Sequence, residues 1–306
     1  MIYSLGKDDV GAAFKKLQKD GATLANNLAV KATLENLPCF LAVNYIWDTT
    51  SDIGLDKATL RLVSEQHRRP KYMFAGSHVL LMCELEQELA ANDIQRTAED
   101  DDLLGKEIVD IFRALKKDLP QTSYPFTEND GEDSFVHRVL HTLLTTVFDG
   151  FRTVWANKAA AGSRERRKED GKEGLRPDFQ VFRNDVPVLY LEAKPLESTT
   201  ANEYLADRWK LANLAKDELN ACYRKHISLP YMTIIQVYGR KLEVHTMTLQ
   251  NGIYHMFQQF HVYVPCARDD GAAIRPCLTA LYSVKFFSLC RLYRSVGFSF
   301  VTQNHL

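Results

Sequence analysis

The chain has 306 residues, of which 45% are hydrophobic and 25% are charged, so it has enough apolar side chains to bury one large core or two modest ones. This composition excludes a disordered or low-complexity protein. The 38 basic and 39 acidic residues leave a net charge of −1, which excludes attraction to polyanions by overall charge; contact with nucleic acid requires a local basic patch.

The cysteines and the N-terminus indicate where the protein is found. The six cysteines form no C-x-x-C pair, which predicts reduced, structural thiols. The first residues, "MIYSLGKDDVGAAFKK", lack the apolar core of a signal peptide, and no apolar run approaches the ~20 residues that span a bilayer. We therefore expect an intracellular protein, cytoplasmic or nuclear, with no membrane partner. The sequence leaves open whether it is a monomer or a homodimer.

Residues 1–120 have the pattern of a mostly helical N-terminal region. Apolar residues recur three or four positions apart in four segments, which predicts helices at 8–20, 56–68, 77–93 and 98–120. The last segment opens on acidic residues and ends on Lys116 and Lys117 before Pro120, as the helix dipole favours.

A second unit, residues 121–306, begins in the turn-rich stretch "PQTSYPFTENDGED". Hydrophobic periodicity predicts helices at 132–150, 201–225 and 277–295, and strands at 151–156, 175–183, 187–194, 231–239, 241–247 and 253–264. The charged stretch 159–174 is interpreted as an exposed loop. This order predicts an α/β fold in which helices flank a mixed β-sheet.

The segment 176–195, "RPDFQVFRNDVPVLYLEAKP", places an acid and a base in an apolar strand. Because side chains alternate along a strand, Tyr190, Glu192 and Lys194 share one face, and the apolar residues between them share the other. Charged groups are costly to bury without partners. We therefore expect the face of Glu192 to meet water, a ligand or other charges.

The hairpin between the two strands decides whether Asp178 meets Glu192. A two-residue loop at Asn184 and Asp185 puts Asp178 opposite Leu191, so the two acids point to opposite faces. A loop of three or five residues puts Asp178 opposite Glu192, at ~5 Å. Pro187 cannot donate to the ladder, which favours the five-residue loop, 183–187.

Two neighbouring carboxylates repel each other unless a cation lies between them. Mg²⁺ or Mn²⁺ suits this need, since these ions take one or two carboxylates and complete their shell with water and substrate phosphate. Lys194 would then face the metal-bound water or the phosphate. The alternative is that these residues form ordinary ion pairs on a solvated sheet face.

These residues resemble the motif of the PD-(D/E)xK nuclease superfamily. The superfamily pattern is a helix with a glutamate, a strand with Pro-Asp and a strand with Glu-x-Lys, matched here by Glu132 in "GEDSF", Pro177-Asp178 and Glu192-Ala193-Lys194. The stretches "EDSFVHRVLH", "RPDFQVF", "YLEAKP" and "KLANLAKDELN" are also similar to uncharacterised predicted nucleases of fungal genomes. The resemblance covers residues 121–306 and implies a restriction-endonuclease-like fold.

The resemblance also implies a role for each matched residue. Asp178 and Glu192 bind the metal with the carbonyl of Ala193, Lys194 positions or helps deprotonate the water, and Glu132 supports this metal position or a second one. Other acids lie beside Glu132 and are alternatives to it: Glu128, Asp130 and Asp133. The implied activity is metal-dependent hydrolysis of phosphodiester bonds in DNA or RNA. The alternative is a catalytically inactive nuclease-like module that binds nucleic acid or a protein.

Two groups of basic residues are candidate nucleic-acid contacts. Six of them lead along the chain into Asp178: Arg164, Arg166, Arg167, Lys168, Lys172 and Arg176. Such a run suits a phosphate backbone, and it is equally typical of a solvated loop. On the following helix, Lys210 and Lys216 are interpreted either as substrate contacts or as part of a solvated face.

Overall fold

The computed structural model describes residues 4–5, 8–26, 37–49, 55–69, 71–121, 136–155, 158–168, 171–195 and 200–290. The helices are α1 (Val10–Asn26), α2 (Leu37–Val43), α3 (Lys57–His67), α4 (Gly76–Ala90), α5 (Leu103–Asp118), α6 (His141–Val147, after a π-helical turn at Val136–Leu140), α7 (Ala161–Lys168), α8 (Ala201–Arg224) and α9 (Gly271–Cys290). The strands are β1 (Ser4–Leu5), β2 (Asp8–Asp9), β3 (Ile46–Asp48), β4 (Arg152–Trp155), β5 (Phe179–Arg183), β6 (Val186–Lys194), β7 (Met232–Tyr238), β8 (Lys241–Gln250) and β9 (Ile253–Tyr263).

The described residues form a seven-stranded mixed sheet in the order β3-β9-β8-β7-β6-β5-β4. The pairs β3–β9 and β6–β7 are parallel, and the other neighbours are antiparallel. Helix α8 connects the parallel strands β6 and β7, as a parallel connection requires. The predicted α/β architecture with a mixed sheet is therefore confirmed.

Helices cover both faces of the sheet. On one face, Leu189, Leu191 and Ala193 pack in a core shared with α4, α5, α6 and α9. On the other face, Tyr190 and Ile234 pack beneath α8 and α2. The N-terminal region takes part in both layers, because α4 and α5 belong to the first core and β3 is an edge strand of the sheet.

Local sequence signals account for the ends of the principal helices. Asp102 caps α5 by accepting a hydrogen bond from the Gly105 N–H at 2.8 Å. Thr200 and Glu203 form a capping box at the start of α8, each satisfying a backbone N–H of the other. None of the described helices combines the length and hydropathy that a bilayer-spanning segment requires.

Helix α7 corrects the prediction of a loop at 159–174. Its residue Gly162 lies so close to α8 that an added Cβ would be 2.7 Å from the carbonyl of Asp217. The Gly162 N–H donates to Glu218 Oε2 at 2.9 Å. The charged residues suggested an exposed loop, but the small residues preceding them allow a helix to pack directly on α8.

The hairpin between β5 and β6 has the predicted register but not the predicted loop. Asn184 and Asp185 form a two-residue turn with φ of 47° and 62°, so the five-residue loop is wrong. A β-bulge restores the register: Phe182 pairs with Pro187 but Val181 pairs with Leu189, which leaves Val188 as the extra residue. The bulge thus puts Asp178 and Glu192 on the same side.

The left-handed turn gives a test of this hairpin. Asp185→Gly and Asp185→Ala both lose the ion pair with Arg152, 3.1 Å long, but only glycine adopts the positive φ without a steric cost. We expect the glycine variant to be more stable than the alanine variant by about 1 kcal/mol. Urea denaturation measures this difference, and equal unfolding midpoints would contradict the assigned turn.

Candidate functional site

Asp178 is held in place immediately before β5. Its backbone N–H donates to the carbonyl of Leu191 at 3.0 Å, and its Oδ2 accepts the N–H of Ala193 at 2.8 Å. Both contacts are to the end of β6, on either side of Glu192. The structure therefore brings together the Pro-Asp and Glu-x-Lys parts of the predicted motif.

Glu192 is buried, with 1% of its surface exposed. The pKa of its carboxyl is raised to about 8, first by burial and then by the nearby charge of Asp178, whereas Lys210 acts in the opposite direction. Asp207 of α8 also lies near enough to raise this pKa. The site thus favours a proton or a cation at Glu192.

Lys210 of α8 contacts both oxygens of Glu192. Its Nζ donates to Oε2 at 2.8 Å and lies 2.7 Å from Oε1. The second contact is an ion pair without hydrogen-bond geometry, so Oε1 has no hydrogen-bond partner among the described residues. Lys210 was predicted as a substrate contact, and in this structure it neutralises the candidate metal ligand.

The face of β6 that carries Glu192 is covered by α8 and is not open to water. Tyr190 is fully buried, and its hydroxyl donates to Glu218 Oε2 at 2.8 Å. Lys194, at the end of the strand, is partly exposed. The pKa of Glu203 is lowered first by the Thr200 backbone N–H and also by the charge of Lys194, which places Lys194 near the start of α8.

A second charged cluster lies beneath α8, and no sequence motif predicted it. Arg208 donates to Asp48 Oδ2 at 2.9 Å and to Glu243 Oε2 at 2.8 Å. His245 is 2.9 Å from the same guanidinium, and burial lowers its pKa well below the usual range, so this imidazole is neutral. The cluster is hard to find by sequence reasoning because Asp48 and Arg208 are 160 residues apart.

Gln236 connects the two charged groups. Gln236 is on β7, where it pairs in register with Glu192 of β6 and with Glu243 of β8. Its Nε2 donates to the carbonyl of Tyr204 at 2.7 Å, as expected for a core amide, while its Oε1 has no partner among the described residues. In the sequence, this position can be recognised because Gln236 interrupts an otherwise apolar strand.

Three arginines of the basic run have partners within the protein, and of these only Arg166 reaches outside the run. Arg166 binds the buried carboxylate of Asp217 at 2.7 Å, and Arg167 donates to the carbonyl of Glu173 at 3.0 Å. Arg176 pairs with the side chain of Glu173 at 2.9 Å.

The other basic candidates are in different environments. Among the described residues no carboxylate forms an ion pair with Arg164, Lys168 or Lys172, all of which are exposed. Lys216 is half-buried, with Nζ 5.9 Å from the centre of the Tyr254 ring.

The residues present fit a divalent ion in donor chemistry. Glu192 Oε1 is a buried acceptor without a hydrogen bond, and Asp178 lies beside it. Over the described ranges, no three His, Cys, Asp or Glu side chains are grouped as a complete metal site. A metal here would therefore use two carboxylates, as Mg²⁺ often does, with water or substrate as further ligands. Glu132 and its acidic neighbours lie outside the described residues.

Comparisons of this chain with protein-family models, with curated proteins and with solved structures find no match. The functional proposal below consequently depends on the geometry and electrostatics of the site.

The raised pKa of Glu192 predicts how stability depends on pH. Between its ordinary pKa of 4.5 and about 8, the folded protein keeps a proton that the unfolded chain has lost, so stability falls as the pH rises through this interval. The slope from one such group is at most about 1.4 kcal/mol per pH unit. Glu192→Gln cannot ionise and should lack this dependence.

Urea denaturation in EDTA at pH 5 and pH 8 measures the effect. We expect the advantage of Glu192→Gln over the wild type to be larger at pH 8. Glu99→Gln, which changes an exposed acid, is the control. A constant difference between Glu192→Gln and the wild type would mean that Glu192 is already ionised at pH 5.

Proposed function

We propose that this protein is a divalent-metal-dependent nuclease that hydrolyses phosphodiester bonds of DNA or RNA. The observation that carries the proposal is the position of Asp178 beside the buried carboxyl of Glu192, with Lys194 two residues further along β6. Glu192 is buried and Asp178 is partly buried, so the two acids repel each other in a poorly hydrated place, and Lys210 offsets only part of this cost. An acid perturbed in this way near the partly exposed end of a strand is typical of a functional site.

The order of elements supports a restriction-endonuclease-like core. Helix α6 comes first, Pro177-Asp178 leads into β5, and Glu192-Ala193-Lys194 ends β6. This is the order of the superfamily pattern. Helix α8 then returns the chain to β7, which lies parallel to β6.

Each residue has a distinct part in the proposed reaction. Asp178 and Glu192, with the carbonyl of Ala193, would hold Mg²⁺ or Mn²⁺, which when bound makes a coordinated water more acidic and offsets charge on the phosphate. Lys194 positions the water and donates to the phosphate oxygens. Without a metal, Lys210 supplies part of the positive charge that the site needs, and Glu192 would hold the metal in its ionised form.

The Lys210–Glu192 ion pair also favours a second candidate function. A lysine that neutralises the carboxylate permanently would leave a nuclease-like module that binds nucleic acid or a protein without cleaving anything. Incubation with single- and double-stranded DNA and RNA, in Mg²⁺, Mn²⁺ or EDTA, separates the two functions. Metal-dependent cleavage supports the nuclease, whereas substrates that are bound but stay intact under every condition support the binding module.

Replacement of Lys194 separates catalysis from binding. Lys194→Ala should cut the cleavage rate by about a hundredfold or more, the usual cost of losing one preorganised electrostatic group, with little change in substrate affinity. Lys57→Ala removes an exposed lysine of α3 and is the control. A folded Lys194→Ala protein that cleaves at the wild-type rate would remove Lys194 from the mechanism.

The exposed cations that precede Asp178 in the chain should contribute to the affinity for nucleic acid. Arg164, Lys168 and Lys172 are the relevant positions, since Arg166 and Arg167 have partners within the protein. Their triple replacement by alanine should reduce the slope of log K against log salt by about 2, if each contacts one phosphate of a single strand. Alanine at Lys15, Lys16 and Lys19 of α1 removes the same charge as a control. Equal slopes for the two triple variants would show that the first set is an ordinary solvated surface.

A further inference from the structure

A small pocket lies beside the candidate site on the same face of the sheet. Its volume is about 280 Å³, and it is half open to solvent. Its lining residues come from the start of α8 and from β7 and β8: Ala201, Tyr204, Gln236, Tyr238, Lys241 and Glu243. Register places it next to the motif, because Gln236 is the partner of Glu192 and Tyr238 is the partner of Lys194.

The walls of the pocket are aromatic and fixed in place. The rings of Tyr204 and Tyr238 meet edge to face, with centroids 5.4 Å apart. The Tyr204 hydroxyl donates to Glu243 Oε2 at 2.9 Å and accepts from Arg208 at 3.2 Å. A wall that is already ordered loses little conformational entropy when a flat ring binds against it.

Two lysines flank Tyr238 across the sheet. Lys194 is its partner on β6, and Lys241 is its partner on β8. Adjacent strands are about 4.8 Å apart, so the two lysine backbones are separated by roughly 10 Å with the tyrosine between them. An aromatic ring between two cations suits a single nucleic-acid strand, in which a base can stack on the ring while the phosphates on either side of it meet the cations.

From this arrangement we infer that the pocket binds one unpaired base of the substrate, stacked on Tyr238. Lys241 contacts the phosphate on one side of this base, and the phosphate on the other side is the one that reacts, whose contact with Lys194 strengthens only in the transition state. The inference rests on the proposed nuclease function and names its substrate class as single-stranded nucleic acid. A paired base is stacked within a duplex and cannot enter a pocket of this kind unless it is first extruded.

Binding of a single-stranded oligonucleotide that contains 2-aminopurine tests the inference. The measurement is made in EDTA, so that binding is observed without cleavage. We expect the wild type to bind the single strand more tightly than the matching duplex and to quench the 2-aminopurine fluorescence. Tyr238→Ala should lose the quenching and bind about tenfold more weakly, which is within the range that one stacked base contributes.

Three variants make the comparison specific. Tyr238→Phe keeps the ring and should bind and quench like the wild type. Lys241→Ala should weaken binding but leave the quenching at saturation. Tyr223→Ala, at the far end of α8 where the side chain is 75% exposed, is the control and should change nothing.

The outcomes separate the pocket from the nuclease. If Tyr238→Ala binds and quenches like the wild type, the pocket inference is overturned, and Mg²⁺-dependent cleavage by the same protein would leave the nuclease proposal standing. If the wild type quenches the base but cleaves nothing in Mg²⁺ or Mn²⁺, the pocket is supported and the nuclease proposal fails. If the wild type binds no single strand at all, the pocket inference is overturned whatever the cleavage assay gives.

Discussion

A carboxylate in the middle of a sheet and beneath a helix has lost almost all of its hydration, and Glu192 is in this position. The free energy lost with that water is partly recovered through the ammonium group of Lys210 and through the proton that the raised pKa retains. Helix α8 therefore has to present a cation to the sheet at one particular place. The buried side of α8 accordingly includes Arg208, Asn213 and Asp217 beside the apolar residues that pack on the sheet.

Arg208 and Lys210 together fix how α8 lies on the sheet. The two residues are about 200° apart around the helix, and they reach β3 and β8 on one side and β6 on the other. A helix held by charges on both sides cannot rotate or slide without breaking an ion pair. Packing of apolar residues alone leaves the rotation of a helix loosely defined, and the ion pairs define it. They also align the start of α8 with the ends of β6 and β7, where the candidate site and the pocket meet.

The sequence predicted the elements well because most of them have a strong local period. Alternation identified β6 and β7, and the repeat of apolar residues identified α5 and α8. The Glu-x-Lys motif led to the correct strand, and of the three environments predicted for its face (water, a ligand or other charges) the structure shows a charged partner for Glu192. The sequence did not identify that partner as Lys210 of the following helix.

Other features depend on contacts between separate elements, which the pattern of residues within one element does not show. The bulge at Val188 is a mismatch between two strands, and neither strand reveals it alone. Ala161 and Gly162 begin a helix because they are small enough for it to pack closely on α8. The ion pair between Asp48 and Arg208 joins the two predicted regions of the chain, and no spacing rule connects residues so far apart.

The short edge strand β3 also constrains the order in which the chain can assemble. Ile46 pairs with Tyr254, about 200 residues later in the chain. At a synthesis rate of 5–20 residues per second, roughly 10 to 40 seconds pass between the translation of these two residues. During that time the buried surface of Trp47 lacks the β9 side chains against which it packs, and Asp48 lacks its arginine for most of it. The segment around β3 is thus synthesised well before the strand that completes its packing, and during this interval it is exposed to chaperones and to misassociation.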